Sequence, residues 1–279
     1  MKPVVAIYAQ GTMGSGLARV LSDHGVTVLT SLEGRSAASA ERAAAAGMQV
    51  TRLEDLTRAD VFMAVLPPGE ALSFARRFAH VLAGTSHRPL YVDCNAVSPQ
   101  TLRNIQDAVT SSGTAFADVG IIGLPPGGAT PPPRLYAAGD DRETLCALRE
   151  YGLDIRWLES GAGAASALKM SYGGITKGLI AVASALILGA TRAGVAEPLA
   201  QEMAASETQL LASLTKRIPD MLPKAYRWVA EMNEISEFLQ ADPGASVIYK
   251  GAAQFYADVA TAVENNDDLS RTFAEFLAP

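Results

Sequence analysis

Residues able to hold a ligand gather near the start of the chain. The stretch Tyr8-Ala9-Gln10-Gly11-Thr12-Met13-Gly14-Ser15-Gly16 follows the short apolar run Val4 to Tyr8 and opens a segment with helical spacing, Met13 to His24. Bare backbone at Gly11 lets a pyrophosphate approach the amides of a helix N-terminus, where the macrodipole favours negative charge, and Gly14 lets that helix lie close to a sheet. Gly11, Thr12, Met13 and Gly14 thus form a dinucleotide fingerprint in strand-turn-helix context, with Ala9 where its first glycine would stand. The end of the next strand selects the cofactor, because an acid there accepts from ribose hydroxyls and a cation pairs with a 2′-phosphate. The segment Thr30-Ser31-Leu32-Glu33-Gly34-Arg35-Ser36 carries both charges. Arg35 with the hydroxyls of Ser31 and Ser36 can cage a phosphate while Glu33 turns to solvent, so NADP is expected and NAD is the alternative.

The elements that must position this turn alternate along the first half of the chain. Strands are read at Val4–Tyr8, Thr27–Thr30, Asp60–Leu66, Leu90–Asp93, Ala115–Val119, Arg134–Ala138 and Ile155–Leu158, with helices at Ala37–Ala46, Gly69–Leu82 and Pro99–Ser111. Continuous apolar strands alternating with helices predict a parallel, doubly wound α/β sheet of Rossmann type. From about Ala164 the strand signals stop. A long apolar helix to Arg192 is followed by helices at Glu197–Lys216, Leu222–Gln240 and Ala245–Asn265, with Pro219, Pro223 and Pro243 at the joints. The prediction is a nucleotide-binding domain over 1–160 and an all-α domain over 161–279, with a rigid proline- and glycine-rich loop from Gly123 to Arg134. A helical domain this apolar buries its faces best against a second copy, so a homodimer through it is expected.

Composition narrows the function classes. The chain has 279 residues, 49% of them hydrophobic and 19% charged, which excludes disordered and fibrous classes. A net charge of −6 gives no general attraction for nucleic acid or an anionic membrane surface. The longest apolar stretch, Leu179 to Ala190, is short for a bilayer span, and the N-terminus does not read as a signal peptide. Cys94 and Cys146 lack CxxC neighbours and His24, His80 and His87 are scattered, so neither a metal site nor a disulfide framework is expected. These features point to a cytoplasmic protein acting on a small molecule.

The glycine turn, the strand end Val65-Leu66-Pro67-Pro68, the segment Val92-Asp93-Cys94-Asn95-Ala96-Val97-Ser98-Pro99 and a lysine at the start of the long central helix occur in an order that resembles the β-hydroxyacid dehydrogenases. That group includes 3-hydroxyisobutyrate and 6-phosphogluconate dehydrogenases. The segments Ser31 to Ser36 and Arg227-Trp228-Val229-Ala230-Glu231-Met232-Asn233-Glu234 resemble a branch with a phosphogluconate-dehydrogenase-like C-terminal domain, and the likeness spans essentially the whole chain. The resemblance implies that Lys169, in Gly163-Ala164-Ala165-Ser166-Ala167-Leu168-Lys169, exchanges a proton with the substrate hydroxyl, since hydride leaves a carbinol carbon only as that proton departs. It implies that Asn95 contacts the nicotinamide ribose and substrate and that Leu66 and Pro67 lie along the cofactor. Cys94, beside Asn95, is read as a packed residue.

Two departures from the family pattern bear on the substrate. The asparagine expected four residues after the lysine is Gly173, leaving Tyr172, Thr176 or Lys177 to serve that helix face. The counterpart of the carboxylate-binding DxPxSGG segment is Asp118-Val119-Gly120-Ile121-Ile122-Gly123-Leu124, with Ile122 at the serine position. Asp118, Gly120, Ile121 and Ile122 are therefore substrate candidates, for a substrate bulkier or less polar at this point than a simple hydroxyacid. The function implied is an NADP-dependent oxidoreductase for a small β-hydroxy acid or related polar alcohol. The alternatives are an imine reductase, against which the lysine counts, and a non-catalytic NADP(H)-binding sensor.

Overall fold

A computed structural model describes residues 2–127 and 131–277. The chain divides into two compact units, Met1–Lys169 and Met170–Pro279. The first unit contains β1 (Val4–Tyr8), α1 (Thr12–Asp23), β2 (Thr27–Thr30), α2 (Ala37–Ala45), β3 (Gln49–Val50), β4 (Val61–Ala64), α3 (Pro68–Ala83), β5 (Leu90–Asp93), α4 (Pro99–Thr110), β6 (Phe116–Ile122), β7 (Arg134–Gly139), α5 (Arg142–Ala147) and β8 (Asp154–Trp157). These strands form one sheet in the order β3-β2-β1-β4-β5-β6-β7-β8. The winding reverses between β1 and β4, which are hydrogen-bonded neighbours, and an open α/β sheet binds ligands beyond the strand ends at such a point.

Both faces of the sheet are buried. One carries Val5, Ile7, Met63, Val92 and Val119; the other carries Phe62, Tyr91 and Phe116, packed with Phe74 and Phe78 of α3. Rings on this second face stack, Tyr8 of β1 on Phe74 of α3 with centroids 4.3 Å apart and Tyr91 of β5 on Phe116 of β6 at 5.8 Å. Aromatic pairs of this kind stiffen the strand ends that frame the turn after β1.

The sheet departs from the all-parallel expectation at one place: β7 runs antiparallel to β6, with Gly120 opposite Tyr136. A parallel return needs a crossover, usually helical, and the proline-rich connection from Gly123 to Pro133 has no helix among its described residues, so the chain doubles back. The two-residue β3 and the short α5 lack a periodic run long enough to be read in sequence.

The second unit is helical. It receives α6 (Ala164–Arg192), whose first six residues belong to the first unit, and continues with α7 (Ala196–Ser206), α8 (Thr208–Met221), α9 (Ala225–Phe238), α10 (Pro243–Glu264) and α11 (Leu269–Leu277). The helix expected over Glu197–Lys216 is broken at Glu207, Pro219 falls inside α8 rather than at a joint, and α11 went unread. The division falls nine residues beyond the expected boundary near 160, because the first turns of α6 pack on β6.

The apolar pattern of α6 is also longer than Leu179–Ala190. The helix has 29 residues and, by length and composition alone, is apolar enough to cross a membrane, with 33% of its most apolar window buried. Its exposed large residues Leu168, Tyr172, Ile175, Leu179, Val182 and Leu186 recur at alternating intervals of four and three. A single stripe with the period of a coiled-coil seam, rather than apolar residues all round, is the pattern of a helix that meets a partner along one side.

Candidate active site

The site of the first unit is assembled at the C-terminal ends of β1, β2, β4, β5 and β6. After β1 the chain turns into α1 at Gly11, which takes extended backbone as the N-cap without a side-chain cap. A β-carbon at Gly11 would meet nothing within 4 Å, whereas one at Gly14 would run into the Ala9 carbonyl. Gly14 is therefore required for close approach of helix and strand, and Gly11 leaves the first-turn amides open to a ligand. Thr12 is exposed and Met13 half-buried beside them.

At the end of β2, Gln10 is fully buried and donates from Nε2 to Thr30 Oγ1 and, at 2.8 Å, to the Ser31 carbonyl. Arg42 donates to the Gln10 carbonyl at 2.7 Å. Glu33 is exposed, and its carboxylate accepts the Leu53 N–H at 3.1 Å. Ser31 has no solvent exposure, and its hydroxyl accepts the Glu33 N–H at 3.4 Å. Ser36 is the N-cap of α2, accepting the Ser39 N–H at 3.3 Å. Both hydroxyls of the expected cage are thus engaged in local turns. Arg35 lies over the Tyr8 ring, 5.7 Å from its centroid and 3.6 Å from Glu70, with a buried Nε that has no hydrogen-bond partner among the described residues. Together with the unpartnered, buried Gln10 Oε1, this leaves polar groups that a bound nucleotide would satisfy.

At the adjoining strand ends, Asn95 accepts the Leu66 N–H on Oδ1 at 2.6 Å and donates from Nδ2 to Asp93 at 2.6 Å. Leu66 is nearly buried, and Pro67, the exposed N-cap of α3, follows it. Asp93 has no solvent exposure, and burial pushes its carboxyl up to about 7 against the Asn95 hydrogen bonds, with Asp118 pushing the same way and Lys169 opposing. Burial also holds the Cys94 thiol well above its usual range, which fits a packed residue rather than a nucleophile.

Lys169 is set by β6. Asp118 Oδ2 accepts the Gly163 N–H at 3.0 Å and the Ser166 N–H at 2.9 Å, and Oδ1 accepts the Ser166 hydroxyl at 2.8 Å. This carboxylate caps α6 from another element, a favourable place for negative charge. Burial raises the Asp118 carboxyl, the Ser166 and Gly163 hydrogen bonds lower it, and Lys169 lowers it further. A β-carbon on Gly120 would lie 2.5 Å from the Ala165 carbonyl and 3.2 Å from Lys169 Cβ, so this glycine admits the lysine-bearing turn to the sheet. The substrate candidates of β6 lie beside this lysine-bearing turn. Asp118 is committed to the helix, Gly120 sits in the β6–β7 ladder under α6, and Ile121 and Ile122 are almost wholly buried.

In the second unit, Tyr172 is exposed and Gly173 half-buried, while the Thr176 hydroxyl donates to the Tyr172 carbonyl at 2.8 Å. Lys177 pairs with Glu231 and lies 5.1 Å from the Trp228 ring centroid, so these residues form an ion pair rather than a free charged face. Sequence reasoning missed Asp93, Gln10 and Ser166. The first stood in plain view as a carboxylate two residues before Asn95, but the Ser166 link spans 48 residues and leaves no local signal. Among the described residues, no group of three His, Cys, Asp or Glu side chains could hold a metal ion.

Comparison with known proteins supports the fold and the family. Residues 5–145 match the NAD binding domain of 6-phosphogluconate dehydrogenase, and residues 190–259 match a domain of unknown function, DUF1932. A conserved protein of unknown function, MTH1747, whose structure is similar to 3-hydroxyacid dehydrogenases, is 30% identical with a TM-score of 0.72, over 93% of this chain and 98% of that one. The 3-hydroxyisobutyrate dehydrogenase of Mycobacterium tuberculosis, solved with L-serine, is 22% identical with a TM-score of 0.73, over 99% of both chains. A reductive aminase of Aspergillus terreus, solved with NADPH and ethyl-5-oxohexanoate, shares the fold at 16% identity and a TM-score of 0.56, over 99% of this chain and all of that one.

The raised carboxyl of Asp93 has a signed consequence for stability. The folded protein binds a proton there up to about pH 7, whereas an unfolded aspartate releases it near 3.8, so this residue's contribution to stability is fully present below about 4 and is lost as pH rises to 7. Asp93→Asn should remove that decline, which is on the order of 4 kcal/mol across the window. Urea unfolding of both proteins from pH 4.5 to 8 measures it, and parallel curves would refute it.

Proposed function

Because the chain belongs to the β-hydroxyacid dehydrogenase family built on the NAD binding domain of 6-phosphogluconate dehydrogenase, NAD(P)-dependent oxidoreductases acting on CH–OH groups, we propose that it is an NADP-dependent oxidoreductase of a small β-hydroxy acid or related polar alcohol, with Lys169 as general acid/base. The observation that carries this reading is the position of Lys169 in the first turns of α6, held to β6 by the Asp118 cap and close enough to Asp93 and Asp118 for its charge to lower both carboxyls.

The residues present fit a dinucleotide. Gly11, Thr12, Met13 and Gly14 would hold the pyrophosphate at the α1 N-terminus, and Arg35 would meet the 2′-phosphate end. Leu66, Pro67 and Asn95 would flank the nicotinamide end. The bound nicotinamide supplies the hydride acceptor or donor. Lys169 takes the proton from the substrate hydroxyl during oxidation and returns it during reduction, a transfer that requires its amine to alternate between charged and neutral forms. The preference for NADP rests on two engagements: Glu33 spends its carboxylate on the Leu53 N–H, and Arg35 keeps a buried Nε without a partner.

The proposal extends to a homodimer through α6. Its support is the exposed row from Leu168 to Leu186, in which Ile175 is 70% and Leu186 65% exposed. Ile175→Glu with Leu186→Glu should convert a dimer into a monomer by light scattering, and an unchanged mass in the double variant would remove this face from the assembly. For the chemistry, Lys169→Ala should lower turnover of an active hydroxyacid by at least 100-fold, the lower range of general acid-base contributions, with NADPH affinity changed less than threefold. A variant that keeps its turnover would contradict the assigned role, and a wild-type protein that binds NADPH without turning over any hydroxyacid, aldehyde or imine would be a sensor.

A further inference from the structure

Asp93 stands at the end of β5 with both oxygens occupied by one residue. The Asn95 main-chain N–H donates to Oδ1 at 3.0 Å and Asn95 Nδ2 donates to Oδ2 at 2.6 Å. The amide is thereby held with its own Oδ1 toward the end of β4, where it accepts the Leu66 N–H at 2.6 Å. We propose that Asp93 is a positioning residue for cofactor binding: as a carboxylate it fixes which way the Asn95 amide faces and, through that amide, holds the Leu66–Pro67 turn to the end of β5. The proposal rests on the reading that Leu66, Pro67 and Asn95 flank the nicotinamide end of the cofactor.

The argument is one of donors and acceptors. An asparagine amide presents a donor at one end and an acceptor at the other, and a carboxylate, which only accepts, selects the donor end. Protonated, Asp93 presents an O–H that is satisfied best by the acceptor end of the amide. The amide then turns over, and its NH₂ group faces the Leu66 N–H. Two donors meet, and a backbone N–H at a residue only 7% exposed loses its acceptor. The turn before α3 is released from β5, and the strand ends flanking the cofactor lose their fixed spacing.

The charged and titratable groups around Asp93 set when this happens. Asp118 on β6 disfavours the carboxylate and Lys169 on α6 favours it, while Tyr91 on β5 and Cys94 just after it are held neutral by burial. Burial places the change near pH 7, so the amide is selected one way on the alkaline side of neutrality and the other way on the acid side. Asp118 differs from Asp93 in being tied by three hydrogen bonds to Gly163 and to Ser166 at the start of α6, with no side-chain amide among them.

The test is NADPH titration by fluorescence from pH 6 to 8.5 on the wild type, Asp93→Asn and Asn95→Ala, with the Leu66 amide resonance followed in ¹⁵N-labelled protein. The ionisation of the cofactor's own 2′-phosphate contributes equally to all three, so the wild-type-minus-variant difference is the readout. Wild-type affinity should fall roughly fivefold to tenfold more than that of either variant on going from pH 8 to 6, the scale of one lost hydrogen bond. Asp93→Asn should bind at pH 8 as the wild type does at pH 6, and the Leu66 amide shift should titrate only in the wild type. Identical pH profiles in the wild type and Asp93→Asn would overturn the proposal and leave the oxidoreductase reading standing. A profile that persists in Asn95→Ala would overturn it as well, and remains informative if Asp93→Asn does not fold. Wild-type protein that binds neither NADPH nor NADH would instead overturn the oxidoreductase reading itself.

Discussion

The Asp118 carboxylate, buried in β6 and accepting three hydrogen bonds from Gly163 and Ser166, is the constraint on which the arrangement of the first unit turns. Four N–H groups at a helix start have no partner within the helix, and a long apolar helix beginning beside a buried sheet has little water to satisfy them. A carboxylate supplied by the sheet meets that need and fixes the helix at the same time. With the cap in place, the α6 backbone passes so close to Gly120 that no side chain fits there, and Lys169 emerges one turn later beside the ends of β5 and β6. Removing the cap would strand a buried carboxylate's donors, a cost of a few kcal/mol.

The same economy runs through the rest of the site. Polar groups at the strand ends are each assigned a structural partner: Glu33 to Leu53, Ser36 to Ser39, Asn95 to Leu66, Arg42 to Gln10. Among the described residues, two buried atoms near the β1 and β2 ends, Gln10 Oε1 and Arg35 Nε, have no hydrogen-bond partner. Buried charge is tolerated at Asp93 and Asp118 because hydrogen bonds and one lysine offset part of the desolvation cost.

The Rossmann architecture was legible because β1, β4 and β5 carry short, mostly apolar runs and the turns after them their own punctuation, from Gly11 to Pro67-Pro68 to Ser98-Pro99. The antiparallel β7 was not, since direction depends on what the connection can do and the strand Arg134–Gly139 looks the same either way. Site residues split along the same line. Gly11, Gly14 and Arg35 announce themselves by local chemistry. Asp118 stands out by its place in a motif, whereas its capping of α6 leaves no local signal because its partners come from 45 and 48 residues away. The row Leu168 to Leu186 was seen as apolar helix, but only the fold separates its exposed residues from buried neighbours such as Met170 and Ile180.

We propose above all that this chain holds a phosphorylated nicotinamide dinucleotide on the turn after β1, with Arg35 at its 2′-phosphate. Calorimetric titration of the protein and of Arg35→Ala with NADPH and with NADH tests it most directly. The account predicts tighter binding of NADPH than of NADH, with at least a tenfold loss for NADPH in the variant and little change for NADH. Equal affinity for NADPH in both proteins, or a preference for NADH, would contradict it.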